Sequence, residues 1–346
     1  MIQNTVYSMP KDSLKDLVAS FDGYDMYAPV TDGKVFQLQK VTDASTVDLD
    51  FTNTSKPPKS MIFPQADCFM SYKIKEKGFE LTDMSESQPK TIVLGIRNCD
   101  ARAFTYLDKV MLEGTYVDPY YADKRKKTVL IGLACNTPPY YNCFCTSLGG
   151  SPHSSEGLDI QIVEMADTYL IEPLTEKGKE ALEGAEGLLR DTKPEELKDR
   201  DALKEASENA IARHLDVNGV PEKMRSMFES NYWKKVSDPC IGCGICTFLC
   251  PTCFCFDIVD IGTKKGGQRV RVWDTCQFPE YTMHASSHNP RDTKMKRQRQ
   301  RFYHKYDYSM INQQMIGCVG CGRCINQCPT QIDIIDVISG SMEVES

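Results

Sequence analysis

The chain carries sixteen cysteines, most of them crowded into short clusters. Cys240, Cys243, Cys246 and Cys250, in DPCIGCGICTFLCP, follow the C-x2-C-x2-C-x3-C-P run with which bacterial ferredoxins hold [4Fe-4S] clusters. The run returns in IGCVGCGRCINQCPT at Cys318, Cys321, Cys324 and Cys328. Two intact copies make this a specific signal. The close turns let three thiolates face one cubane, and Gly242, Gly244, Gly320 and Gly322 let the backbone wrap it tightly. In two-cluster ferredoxins the fourth cysteine of each run serves the other cluster. The spacing therefore assigns Cys240, Cys243, Cys246 and Cys328 to one cluster, and Cys318, Cys321, Cys324 and Cys250 to the other. Zinc sites also use C-x-x-C pairs, but they stop at two pairs around one ion. The three-plus-one run ending in proline favours iron-sulfur.

A second constellation lies upstream. Cys99 follows the apolar run TIVLGI, Cys135 ends KTVLIGLAC, and Cys143 and Cys145 stand in a turn-rich loop. If both runs are parallel strands, their ends share the sheet edge at which sites on α/β folds collect. Four thiols would then converge there, and a third iron-sulfur cluster is expected. The competing reading makes Cys99 and Cys135 ordinary buried thiols. Cys68 reads as a lone core residue. Cys253, Cys255 and Cys276 would form an additional metal or redox site only if the chain after Cys255 folds back.

Between the two runs lies HASSHNPRDTKMKRQRQRFYHK, with seven Lys or Arg from Arg291 to Lys305 and only Asp292 opposing them. Such a stretch beside aromatics can suggest RNA. Cysteine-ligated clusters are anionic, however, and nearby cations and hydrogen-bond donors raise their potentials. Cluster tuning is the preferred reading. On a helix, His284 and His288 would share a face.

These groups need elements to position them. TIVLGI and KTVLIGLAC read as buried strands with DARAFTYLDKVML as a helix between them, so a parallel α/β sheet is expected. LDIQIVEM and TYLIEPL read as two further strands. Residues 1 to about 85 give no clear pattern. The Glu/Lys/Ala/Leu-rich stretch after residue 175 reads as helices with a solvated charged face. The 346 residues thus divide into an α/β domain over 1–174, carrying the third site, and a helical connector over 175–235. A ferredoxin-like dicluster domain over 236–346 follows, interrupted by an insertion at 256–315, since about 67 residues separate the two runs. The fold class is α+β with an α/β N-terminal part.

Hydrophobic residues make up 41% and charged residues 26%, and no apolar run is long enough to span a membrane. MIQNTVYSMPKDSL shows no secretory pattern, so a reducing cytoplasm and free thiols are expected. The net charge of −7 gives no support to nucleic-acid binding. No G-x-G-x-x-G follows a strand and no phosphate loop is present, so flavin and nicotinamide would belong to another chain.

GIRNCDARA, YVDPYY, VLIGLACN, CFCTS, CGICTFLCPTCFCFDI, HASSHNPR and CVGCGRC together cover most of residues 90–335. This ordered set resembles the iron-sulfur beta subunits of cytoplasmic sulfhydrogenase-type [NiFe] hydrogenases and the corresponding iron-sulfur subunits of anaerobic sulfite reductase. Related subunits accompany flavin oxidoreductases coupled to heterodisulfide-reductase-type complexes. Two positions depart from the pattern: Asn98, where proline is expected, and Ser287, where glycine is expected. The resemblance implies an electron-transfer subunit between an FAD- and NAD(P)-binding subunit and a catalytic redox subunit, with no catalytic residue of its own. The rival reading is a redox enzyme whose non-ferredoxin cysteine site acts directly on a substrate such as a disulfide.

Overall fold

A computed structural model describes residues 5–31, 33–83 and 89–345. The first four residues of MIQNTVYSMPKDSL, and the boundary expected near residue 85, lie outside the described residues. Among the described residues twelve strands run in chain order: β1 Tyr7–Pro10, β2 Asp25–Thr31, β3 Phe36–Lys40, β4 Ala66–Ile74, β5 Phe79–Asp83, β6 Thr91–Ile96, β7 Thr128–Leu133, β8 Ile160–Glu164, β9 Thr168–Pro173, β10 Arg190–Asp191, β11 Phe256–Thr263 and β12 Gly266–Trp273.

The larger sheet has the order β10-β1-β9-β8-β7-β6-β2-β3. Its middle strands β2, β6, β7 and β8 are parallel, with Tyr27 opposite Val93 and Leu94 opposite Ile131. They are parallel because a helix covers the crossover: Asn98–Met111 leaves the end of β6 and buries Ala101, Phe104 and Leu107 against Ile96 and Leu130. β6 and β7 are apolar on both faces and almost wholly buried, as a covered parallel sheet requires. The strand, helix and strand read from the sequence are thus in place. The unpatterned N-terminal stretch supplies edge strands and the short helix Leu14–Ser20.

A second sheet, β11-β12-β4-β5, is antiparallel throughout and was not legible. It joins the N-terminal hairpin at residues 66–83 to the hairpin at 256–273, with Val270 opposite Cys68. Cys68 is therefore a half-buried strand residue and not a core thiol.

The stretch after residue 175 is mainly helical, with Glu176–Leu182, Pro194–Asn209, Val220–Ser226 and Tyr232–Ser237. The last two pack on the basic helix Lys294–Tyr303 through Trp233, whose indole N–H donates to Met227 O at 3.0 Å. That helix passes at His304–Tyr308 into a widened π turn, an irregularity common at functional sites. His284 and His288 do not share a helix face. They close an exposed turn in which His284 N donates to His288 O at 2.8 Å. Pro290 disfavours helix just before it, and Ser287 takes a positive φ of 65°, the conformation for which glycine is suited.

Candidate metal centres

The two ferredoxin runs fold alike. Gly244 and Gly322 cap the single turns Ile245–Phe248 and Arg323–Asn326 at φ of 74°, so each loop doubles back on its own cysteines. Cys240, Cys243, Cys246, Cys324 and Cys328 line one cavity of about 490 Å³. The sulfur of Cys240 accepts from Gly242 N at 3.3 Å and from Gln298 Nε2 at 2.8 Å, and that of Cys328 accepts from Ile332 N at 3.2 Å. Cys243 is exposed and Ile241 is 66% exposed, so this cavity reaches the surface.

Cys250 does not line that cavity; Arg301, Cys318, Cys321 and Cys250 are the charged neighbours of Cys324, and Cys250 is also one of those of Cys246. Burial pushes Cys321 up to about 11 and raises Cys324 further. Thiols held this way stay protonated at neutral pH unless a metal displaces the proton.

Two buried cations lie among these thiols. Arg301 is buried with Nη1 unpartnered, facing Cys246 and Cys324. Lys305, likewise buried, donates to Cys250 Sγ at 3.1 Å, Thr252 Oγ1 at 3.0 Å and Gly317 O at 2.7 Å. Burial works to lower both groups, but the surrounding thiolates raise them well above their usual values. Neither is ion-paired to a carboxylate among the described residues. A buried cation without a counter-ion is costly, so the donor set fits anionic, thiolate-held clusters. The inner face of the basic segment is thus turned towards thiols.

Cys99, Cys135, Cys143 and Cys145 line a second cavity, of about 350 Å³, with Gly320 and Cys321 in the same wall. Cys99 stands one residue into the helix that leaves β6, and Cys135 follows β7, so the two parallel strand ends bring them together. Burial pushes Cys143 and Cys145 up to about 12. Asn98, at the first helical position where proline is well tolerated, donates its amide to Ser154 O.

The loop carrying Cys143 and Cys145 sits directly on the second run. Phe144 N donates to Gly320 O at 2.9 Å, and a Cβ on Gly320 would stand 2.6 Å from Cys145 N. Beside it, Arg323 is buried and forks onto Asp100 at 2.6 and 2.7 Å, with further bonds to Asn53 Oδ1 at 2.7 Å and Thr54 O at 3.1 Å. Sequence reasoning passed over Arg323 and Lys59. Arg323 carried one legible signal, a charge between two ligand cysteines.

The chain after Cys255 does fold back. Asp274 N donates to Cys255 O at 3.0 Å, and the thiols of Cys255 and Cys276 interact, which lowers Cys255 and raises Cys276. Among the described residues no three His, Cys, Asp or Glu side chains are close enough to share a single ion. No helix among them is long and apolar enough to cross a membrane.

The model of the 4Fe-4S dicluster domain family matches residues 239–332. The sulfhydrogenase 2 subunit beta of Pyrococcus furiosus is 32% identical over 314 residues, covering 90% of this chain and 91% of that protein. No solved structure matches the chain.

Proposed function

From the premise that this chain belongs to the sulfhydrogenase iron-sulfur beta subunit family, we propose that it is the electron relay of a cytoplasmic hydrogenase-type complex. In this reading electrons pass singly between a flavin and NAD(P)H subunit and a catalytic redox subunit of the hydrogenase, sulfite reductase or heterodisulfide reductase kind. The observation that carries it is the continuity of the thiol-lined sites. Cys324 of the second run lines the cavity of Cys240, Cys243, Cys246 and Cys328, while Cys321 of the same run lines that of Cys99, Cys135, Cys143 and Cys145. The second run therefore links one cavity at the surface to another at the sheet edge.

Iron-sulfur clusters held there would each accept and release one electron without any bond being made or broken. The chain's own residues set the conditions. Cys240, Cys243, Cys246 and Cys328 ligate one [4Fe-4S] cluster, and Cys318, Cys321, Cys324 and Cys250 the other. Cys99, Cys135, Cys143 and Cys145 ligate a third. Arg301 and Lys305 offset the added negative charge, Gln298 and the amides of Gly242 and Ile332 bond to sulfur, and Phe302 and Ile334 help exclude water. The disulfide-reducing alternative is disfavoured at Cys143 and Cys145, because thiols at about 12 supply little thiolate for attack at neutral pH.

The test is iron and acid-labile sulfide per chain after anaerobic purification, in the unaltered protein and in Cys143→Ala, with EPR during stepwise reduction by the flavin partner. Loss of about four iron atoms in the variant, with the coupled signals of the dicluster domain retained, supports the relay. Unchanged iron returns Cys99 and its neighbours to a structural role. Clusters that are present but take no electrons from the partner refute the relay itself.

A further inference from the structure

Beyond the two runs, the Cys99 set and the strand residue Cys68, three thiols remain: Cys253, Cys255 and Cys276. Aligning the runs on Cys250 and Cys328 sets Pro251 and Thr252 against Pro329 and Thr330, but Cys253 against Gln331 and Cys255 against Asp333. The extra cysteines therefore serve something that the second run does not share. The hairpin β11–β12 carries the chain away from Cys255 and, with Phe256 paired to Trp273, returns it at Cys276. Cys253, Cys255 and Cys276 thereby line one cavity. His304, at the start of the π turn, stands in the same wall, its ring edge-on to Phe254 at 5.4 Å.

The charges around this cavity are as informative as the donors. Lys59 is 3% exposed, donates to Cys253 O at 2.7 Å and lies over the Trp273 ring at 4.2 Å. Lys305 and Arg301 line the cavity itself. None of the three is ion-paired to a carboxylate among the described residues. Two buried cations, Arg301 and Lys305, beside thiols and a histidine call for an anionic occupant, because unpaired charge in a dry interior is costly. Lys305 answers one negative centre through Cys250 Sγ, while Lys59, which burial pushes down, has Cys253 and Cys255 among its neighbours.

We propose that Cys253, Cys255 and Cys276, with His304 as fourth ligand, hold an additional [4Fe-4S] cluster beside the dicluster domain. The thiols ring a volume instead of meeting at one point, which suits a cubane better than a zinc ion held at about 2.3 Å by each sulfur. Cys253 lies against Cys250, so the site touches a ligand of the second ferredoxin cluster and makes that cluster a junction with three neighbours. The site extends the relay reading but does not depend on it.

The experiment compares the full chain with Cys255→Ala, Cys276→Ala and His304→Cys, each purified anaerobically, for iron, labile sulfide and zinc, with pulsed EPR of the reduced state. Each alanine variant is expected to lose about four iron and four sulfide while the dicluster signals persist. His304→Cys is expected to keep the count and to lose a nitrogen hyperfine coupling that the unaltered protein shows. Unchanged iron in Cys255→Ala, or one zinc per chain that disappears in it, overturns the proposal. Should the alanine variants unfold and shed all iron, the unaltered protein decides: an imidazole nitrogen coupling in its reduced spectrum upholds the site, and its absence overturns it. A relay that fails would instead show clusters present in full but not reduced by the partner.

Discussion

Replacing Lys305 by methionine removes one buried positive charge while keeping most of the side-chain volume. Its ammonium lies 3.1 Å from Cys250 Sγ and is otherwise bonded only to neutral oxygens of Thr252 and Gly317. An electron entering the cluster ligated by Cys250 spreads over the cubane, at an effective distance of about 6 Å from Nζ. With an effective dielectric of about 20, the lost attraction is roughly 2.8 kcal/mol. For a one-electron couple that corresponds to roughly 120 mV. Local relaxation offsets part of this, so the midpoint should fall by something on the order of 100 mV, with little dependence on ionic strength because the group is buried. EPR-monitored redox titration of the anaerobic protein reads the shift directly. Lys296→Met is the control, since that lysine sits on the surface paired with Asp292 at 2.7 Å and should move the midpoint by no more than about 10 mV. A midpoint that stays put or rises in Lys305→Met would refute the reasoning, and with it the placement of Cys250 on that cluster.

Three further outcomes are expected. Gly320→Ala combines a left-handed backbone with a Cβ only 2.6 Å from the Cys145 amide, and should cost about 2–5 kcal/mol and detach the Cys143 loop; thermal unfolding and iron content read both. Arg323→Met strands the buried Asp100 carboxylate and should destabilise by about 3–5 kcal/mol, while Arg323→Met combined with Asp100→Leu should recover much of the loss in denaturant titration. His153 is pushed down to about 4 by burial, its Nε2 without a partner, so the folded state disfavours its charged form. Stability that this residue preserves above its unfolded value of about 6.5 should decline as pH falls from there towards 4, and His153→Gln should flatten that part of the profile.

What could be read from the sequence was local. A ferredoxin run fixes its own loop within eleven residues, so spacing alone identifies the chemistry at Cys240 and Cys318. β6 and β7 were legible because strands covered on both faces are written as unbroken apolar runs. The second sheet was not, because its partners lie almost two hundred positions apart and β5 is exposed along its whole length, so no alternation of buried and exposed residues marks it. The histidine pair misled because a spacing of four implies a shared face only on a helix, and Pro290 together with the left-handed Ser287 makes a turn there. Lys59 had no local signal, for its meaning comes from Cys253, far along the chain.

The separation of the two ferredoxin runs has a physical rationale in what lies between them. A compact ferredoxin would close around two clusters and leave their charge to water and backbone amides. Here the intervening chain returns as the helix Lys294–Tyr303 and its π turn, placing Gln298 on Cys240, Arg301 between Cys246 and Cys324, and Lys305 on Cys250. One element therefore supplies donors or charge to thiols of both runs. On the opposite side the second run is docked without a linker on the α/β domain, by the Phe144–Gly320 hydrogen bond, by Asn142 on Asn326 at 2.6 Å and by the Arg323–Asp100 fork. The distance between Cys321 and Cys99 is thus set by buried contacts rather than by a flexible connection. Electron transfer falls off steeply with separation, so a relay gains from placing the charge-tuning helix on one side of its central cluster and a rigid, ion-paired joint on the other.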